Sequence, residues 1–179
     1  MRSFCRLIHS MQTDKMTSNQ LSMFEEPAAP LQPVAKATTI KLSKTINAPS
    51  QQVFDHWLIP VFIGDWMFAA HTQQGKVISL ENKVRKGGAF RFTIDFKGSE
   101  IIHNGEYLEL DIPNKLAFTW RSSTQPDCES KVTAQFQEVD NKTRLKLTIR
   151  LAAELYDQKD LVKQAWTSRC SALAAKFKK

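Results

Sequence analysis

Cysteine is scarce in this chain. Cys5, Cys128 and Cys170 are the only three in 179 residues, and no C-x-x-C pair occurs, which leaves no material for a disulfide framework or a zinc site. The odd, sparse count fits a reducing compartment, so the expected location is cytoplasmic. No uninterrupted apolar run approaches the roughly 20 residues that cross a bilayer, so membrane insertion is not expected. The G-x-S-x-G elbow, the Walker loop and the dinucleotide fingerprint are absent as well. Gly87-Gly88 leads into a strand and offers no helix N-terminus, so it reads as a bend and not as a phosphate cradle. His9, His56, His71 and His103 are scattered, with no H-x-H or H-x-x-x-H pair to share a metal. No cofactor is implied, and no nucleophile–base pair can be named, so an enzyme is not the expectation.

What is present suits one soluble domain with a tail. Hydrophobic residues make up 42% and charged residues 24%, and the formal net charge is +7. Residues 1–36 carry no sustained period, and Glu25-Glu26-Pro27-Ala28-Ala29-Pro30-Leu31-Gln32-Pro33 reads as an extended linker. The first ten residues hold arginine and serine without an acid, the composition of a short organelle-targeting presequence. The competing reading, an extension upstream of a later start at Met11, Met16 or Met23, is preferred. Residues 1–36 are therefore taken as a disordered extension and linker, and 37–179 as the folded domain.

From Ala37 the pattern changes. Ile40, Leu42 and Ile46 alternate with polar residues as in a half-buried strand. Asn47 or Ser50 is the expected cap of a helix carrying Val53, Phe54, Trp57 and Leu58, and Pro60 ends it. A second short helix is expected over about 61–66. Six strands follow: around Val77–Leu80, Phe90–Phe96, Ile101–Leu110, Leu116–Arg121, Val132–Phe136 and Leu145–Leu151. Short connections make them an antiparallel meander. A terminal helix of about 21 residues is expected, capped by Asp157 with Asp160. Its apolar stripe runs through Val162, Trp166, Cys170, Leu173 and Phe177.

A single sheet of six or seven strands with one greasy face must bury that face. One helix is about 10 Å wide, and such a sheet is nearly three times wider. The sheet must therefore curl around the helix, with Gly87, Gly88, Gly98 and Gly105 placed to relieve the curvature. A curled, aromatic-lined sheet leaves an internal space. The expected fold is thus α+β, a curved antiparallel sheet gripping a long C-terminal helix.

Three runs of residues carry a resemblance. Ala48-Pro49-x-x-x-Val53-Phe54-x-x-Trp57 followed by Gly64-Asp65-Trp66 is similar to the opening of the START-like, helix-grip superfamily that includes the birch pollen allergen. Lys86-Gly87-Gly88-Ala89-Phe90-Arg91-Phe92, then Gly105-Glu106-Tyr107-Leu108-Glu109-Leu110, then Pro113-x-x-Leu116-x-Phe118-Thr119-Trp120, resembles the branch named for the activator of the heat-shock chaperone's ATPase. The resemblance spans residues 37–179. Two positions depart from it: Ala165 stands before Trp166 where the branch usually has glycine, and Cys170 stands where it has leucine. The second would widen a pocket slightly. The resemblance implies a ligand-holding fold, without naming the ligand, and a chaperone partner.

Candidate ligand contacts are Trp66, Phe68, Phe90, Phe92, Ile94, Glu106, Phe118, Trp120, Leu147, Trp166 and Cys170. Residue by residue the aromatics are ordinary packing groups, but together they make a pocket wall. If Leu108 and Leu110 face inward, period two also sends Asn104 and Glu106 inward, unless a one-residue bulge at Gly105 turns Glu106 to solvent. His56 reads as a helix-flank residue, and His103 as a mainly structural one facing either way. Arg144, Lys146 and Arg150 share the outward face of one strand, with Lys131, Arg121 and Arg91 on its neighbours. No aromatic interleaves with them to stack bases, so nucleic acid is not an expected partner. They are candidate contacts to an acidic protein surface.

Two functions follow. The first is a non-catalytic binding protein holding a hydrophobic, lipid-like or aromatic small molecule. The second is a chaperone accessory. The full-length chaperone activators carry an additional N-terminal domain that residues 1–36 are too short and proline-rich to supply, which ranks the second below the first.

Overall fold

The computed structural model describes residues 38–68 and 75–178. The expectations for residues 1–36, and with them Cys5, His9 and the neighbourhood of His71, lie outside the described residues. The chain forms β1 (Thr38–Ile46), α1 (Ser50–Leu58), α2 (Pro60–Met67), β2 (Lys76–Asn82), β3 (Ala89–Phe96) and β4 (Ser99–Asp111). It continues with β5 (Lys115–Ser122), β6 (Gln125–Val139), β7 (Lys142–Leu151), a 3-10 turn (Ala153–Gln158) and α3 (Lys159–Ala175).

The strands make one curved, open, fully antiparallel sheet in the order β1-β7-β6-β5-β4-β3-β2. β2 to β7 form the expected meander, and β1 pairs with β7, from Thr38 opposite Leu151 to Ile46 opposite Thr143. The first two strands thus lie on opposite edges, and the chain between them carries α1 and α2 across the sheet. The inner face is continuous: Ile40, Phe90, Phe92, Leu116, Phe118, Val132, Ala134, Phe136, Leu145, Leu147 and Ile149 are all buried. Val53, Phe54, Trp57, Ile63 and Trp66 cover one part of it, and Trp166, Cys170 and Leu173 of α3 another.

Several local expectations need correction. Neither Asn47 nor Ser50 caps α1. Pro49 stands at the cap and Ser50 is the first helical residue. Its backbone N–H and its hydroxyl both donate to one carboxylate oxygen of Glu138 on β6, each at 2.8 Å. The orphan amide is thus satisfied from the sheet and not from the local sequence. Asp157 does not cap α3 either. The residues around it wind into the 3-10 turn, and α3 has 17 residues with Gln158 at its cap and no side-chain cap bond. That shortens the helix to roughly 26 Å. β6 starts seven residues before Val132, because Gln125 pairs with Ser122 in a tight hairpin.

The bulge in β4 lies not at Gly105 but at Leu108, between the pairs Tyr107–Phe118 and Glu109–Ala117. Gly105 has another role. A Cβ there would overlap the carbonyl oxygen of Thr119 and the ring of Phe90, so only glycine lets β4, β5 and that ring approach so closely. Lys97 and Gly98, both at positive φ, form the two-residue turn between β3 and β4.

Polar ties lock the helices to the sheet. Thr143 is fully buried, and its hydroxyl donates to the Ala48 carbonyl at 2.7 Å. The Trp66 indole donates to the His56 carbonyl at 2.7 Å, joining α2 to α1. Tyr107 donates to Asn82 at 2.8 Å, and Asn82 in turn donates to the Leu58 carbonyl at 2.6 Å. Replacing Thr143 by valine keeps the shape but orphans the buried Ala48 carbonyl. Urea denaturation of T143V should show a loss of about 1–2 kcal/mol. An unchanged midpoint would show that the tie contributes nothing.

Candidate functional site

The interior is not filled everywhere. A cavity of about 140 Å³ lies beneath the first half of α3, between that helix and the inner faces of β5, β6 and β7. From α3 come Val162, Ala165, Trp166 and Arg169. The sheet supplies Trp120 and Ser122 of β5, then Cys128, Ser130 and Val132 of β6, then Ile149 and Leu151 of β7. His103 of β4 and Leu155 of the 3-10 turn close it. The sequence explains the space. Along β6 the inward positions run Cys128, Ser130, Val132, Ala134, Phe136 at period two. The large ring of Phe136 meets Phe54 at 5.0 Å, while the opposite end of the strand brings the small side chains of Cys128 and Ser130, with Gln125 beyond them.

The indoles frame the cavity. Trp120 and Trp166 meet edge to face at 5.4 Å, and Trp166 lies parallel to Trp57 at 6.4 Å. The Arg169 guanidinium sits over both rings, 4.9 Å from Trp166 and 5.5 Å from Trp120, in cation–π contact. It is buried, and burial lowers its pKa to about 10, which leaves it charged at neutral pH.

His103 faces inward, stacked between Phe68 at 5.6 Å and Trp120 at 4.9 Å. It is 9% exposed, and its Nδ1 has no hydrogen-bond partner among the described residues. Burial first, and the Arg169 charge second, lower its pKa to about 3, so the ring is neutral across the physiological range.

Of the eleven candidate ligand contacts, Trp120 and Trp166 line this cavity. Phe68 backs His103 from behind. Phe90, Phe92 and Phe118 line a neighbouring space of about 10 Å³ together with Trp57 and Tyr107, room for no more than about one water. Trp66, Ile94, Leu147 and Cys170 are buried but line neither space. Ile94 packs between Val77 and Ile101, and Leu147 between Leu42 and Ala134. Burial pushes the Cys170 thiol up to about 11.

Glu106 is a correction. It is exposed, as is Asn104, because the bulge at Leu108 lets His103, Tyr107 and Leu110 share the inner side of β4. The three cationic candidates Arg144, Lys146 and Arg150 all stand exposed on the outer face of β7. Register places Lys131 directly opposite Arg150, and Lys41 opposite Thr148 between them. Among the described residues none of these five forms an ion pair, whereas Arg121 is paired with Glu129 at 2.7 Å.

Sequence reasoning missed Arg169, Cys128 and Ser130. Arg169 follows Trp166 by three and precedes Leu173 by four, so it lies on the apolar stripe as surely as Cys170 does. Among the described residues, no three His, Cys, Asp or Glu side chains gather to hold a metal ion, and no helix is long and apolar enough to cross a membrane.

A sheet wrapped on a terminal helix, with a cavity between them, defines a helix-grip protein of the START-like type. The model of the family described as activator of Hsp90 ATPase homolog 1-like protein matches residues 47–178, and the chain belongs to that family. Solved structures share the fold at low identity. CV1439 from Chromobacterium violaceum is 21% identical over 78% of this chain and 96% of its own, with a TM-score of 0.66. Ms6760 from Mycobacterium smegmatis is 17% identical over 78% of this chain and 90% of its own, also at 0.66. DynU16, from the dynemicin biosynthetic locus, is 16% identical over 76% of this chain and 46% of its own, at 0.60. No curated protein matches the sequence.

The buried histidine gives a direct check. Because its folded pKa lies below its unfolded one, the native state holds fewer protons than the unfolded state between about pH 3 and 6.5. Stability is therefore lost as pH falls through that window. NMR should show the His103 ring signals constant from pH 8 to 5. In R169M the pKa should rise yet stay below 6.5, since burial persists. Titration near 6.5 in the unaltered protein would refute the buried, neutral ring.

Proposed function

We propose that this protein is a non-catalytic carrier that holds one small, largely apolar molecule in the cavity beneath α3. The observation that carries this reading is the unfilled space of about 140 Å³ at the Trp166 indole. Its walls are chiefly aliphatic and aromatic, with few polar groups among them, the usual make-up of a small-molecule site. An engineered apolar cavity of about 150 Å³ is enough to bind benzene. The volume therefore favours a single ring or a short branched chain over a full-length acyl chain. Trp120 and Trp166 are the proposed walls of the site. Cys128 lines it too, as a half-buried free thiol.

Toluene and fluorinated benzenes are suitable probes. In ¹⁹F NMR and tryptophan-fluorescence titrations they should bind saturably, and V162W, which fills the space, should weaken them at least tenfold. In a C5S background, bound probe should slow alkylation of Cys128. Probe binding that V162W leaves unchanged would remove the cavity from the account.

A second reading, a chaperone accessory, is favoured by the outer face of β1, β7 and β6. Like charges directly opposite each other are destabilising in a sheet, yet Lys131 faces Arg150 with no ion pair to either among the described residues. An acidic protein surface would neutralise such a strip. The discriminating assay is the ATPase rate of the heat-shock chaperone from the same organism. The carrier reading expects no stimulation. A rate increase abolished by reversing Arg144, Lys146 and Arg150 to glutamate would install the accessory role instead.

A further inference from the structure

The polar groups that line the cavity are not equally answered. The Ser130 hydroxyl accepts from the Ala152 N–H at 3.2 Å, and the Ser122 hydroxyl lies 2.9 Å from that of Thr124. Arg169 is already engaged. Gln125 and Cys128 are only half-buried, within reach of water. His103 differs from all of these. It is 9% exposed, it lines the cavity, and its Nδ1 meets no partner among the described residues.

Phe68 and Trp120 stack on the two faces of the His103 ring, so its edge is what remains for hydrogen bonding. Buried polar side-chain atoms are nearly always paired, and an unpaired one marks the place of a missing partner. The ring is neutral, so one of its nitrogens carries a proton and the other accepts one. A hydroxyl both donates and accepts, and therefore answers Nδ1 in either tautomer. An ether oxygen answers only an N–H, and a hydrocarbon answers neither. The rest of the lining sets the shape. Trp120 and Trp166 meet edge to face at 5.4 Å, and a further aromatic ring packs on such indoles in the same offset or edge-on manner. About 140 Å³ holds little beyond one ring and a substituent.

We infer that the occupant is a simple phenol, its ring against the indoles of Trp120 and Trp166 and its hydroxyl hydrogen-bonded to the edge of His103. The inference rests on the carrier reading and narrows it. It asks nothing of the Arg169 charge. A bare apolar cavity would rank phenol low, because the hydroxyl must shed its water to enter. The histidine reverses that order, since the hydroxyl exchanges water for a buried atom that stands unpaired without it.

The test compares phenol with toluene, which matches it in shape and lacks the hydroxyl, in calorimetric titrations of the full-length protein at pH 7. Phenol should bind about fivefold more tightly than toluene. In H103L the order should invert with toluene still bound, and H103Q, whose amide can both donate and accept, should restore part of the preference. ¹⁵N-edited NMR of the unaltered protein decides should H103L fail to fold: phenol should displace the His103 Nδ1 resonance by several ppm, and toluene by far less. Toluene binding as tight as phenol binding or tighter would overturn the phenol assignment and leave the carrier intact. So would a phenol preference that leaves Nδ1 unmoved or survives in H103L. If neither probe bound, both readings would fall.

Discussion

A seven-stranded sheet with strands about 4.8 Å apart spreads its apolar face over roughly 29 Å, and a helix dressed in side chains covers about 10 Å. Most of what is distinctive in this protein follows from that disproportion. α1 and α2 are laid across the gap by the connection between opposite edges of the sheet. Their large residues, Phe54, Trp57 and Trp66, are buried beneath them and leave only about 10 Å³ beside Trp57. α3 covers the remainder with Trp166, Cys170 and Leu173. Where α3 begins, the sheet opposite presents Ser122, Cys128 and Ser130 in place of rings, and the filling runs out there. The cavity is the residue of a packing problem solved from one side only.

A buried arginine at the edge of that space is unusual, because desolvating a charge is costly unless something answers it. The answer on α3 is one turn away: Trp166, three residues before Arg169, lies against the guanidinium, and Trp120 from β5 meets it from the sheet. The same charge helps keep His103 unprotonated, so the two basic side chains do not compete. Arg169 is thus both a wall and the source of the local field.

The fold was largely legible in the residues. Period two marked β1, β3, β5, β7 and the second half of β6, Pro49 and Pro60 bracketed the first helix, and the width argument pointed to an internal space between sheet and terminal helix. What escaped were features whose cause lies elsewhere in the chain. The inward path of β4 depends on one extra residue at Leu108, which no alternation rule announces; without it Glu106 would face the core. Cys128 and Ser130 sit among Asp127 and Glu129, so the first half of β6 reads as a polar loop until its pairing with β5 is known. Arg169 was missed although it fits the spacing of the apolar stripe, since nothing in an arginine's charge points inward until its indole contacts are in view. Only two of the proposed contacts, Trp120 and Trp166, reach the cavity, because aromatic patterning identifies core and cannot tell filled core from hollow.

The bond between Ser50 and Glu138 joins positions 88 residues apart. A nine-residue helix holds little structure alone in water, and this one has no side-chain cap from its own neighbourhood. Its first turn is written in the β6–β7 hairpin, so α1 is a dependent element, whole only after distant strands have met. Any truncation that removes that hairpin also erases the instruction for a helix encoded far upstream of the cut.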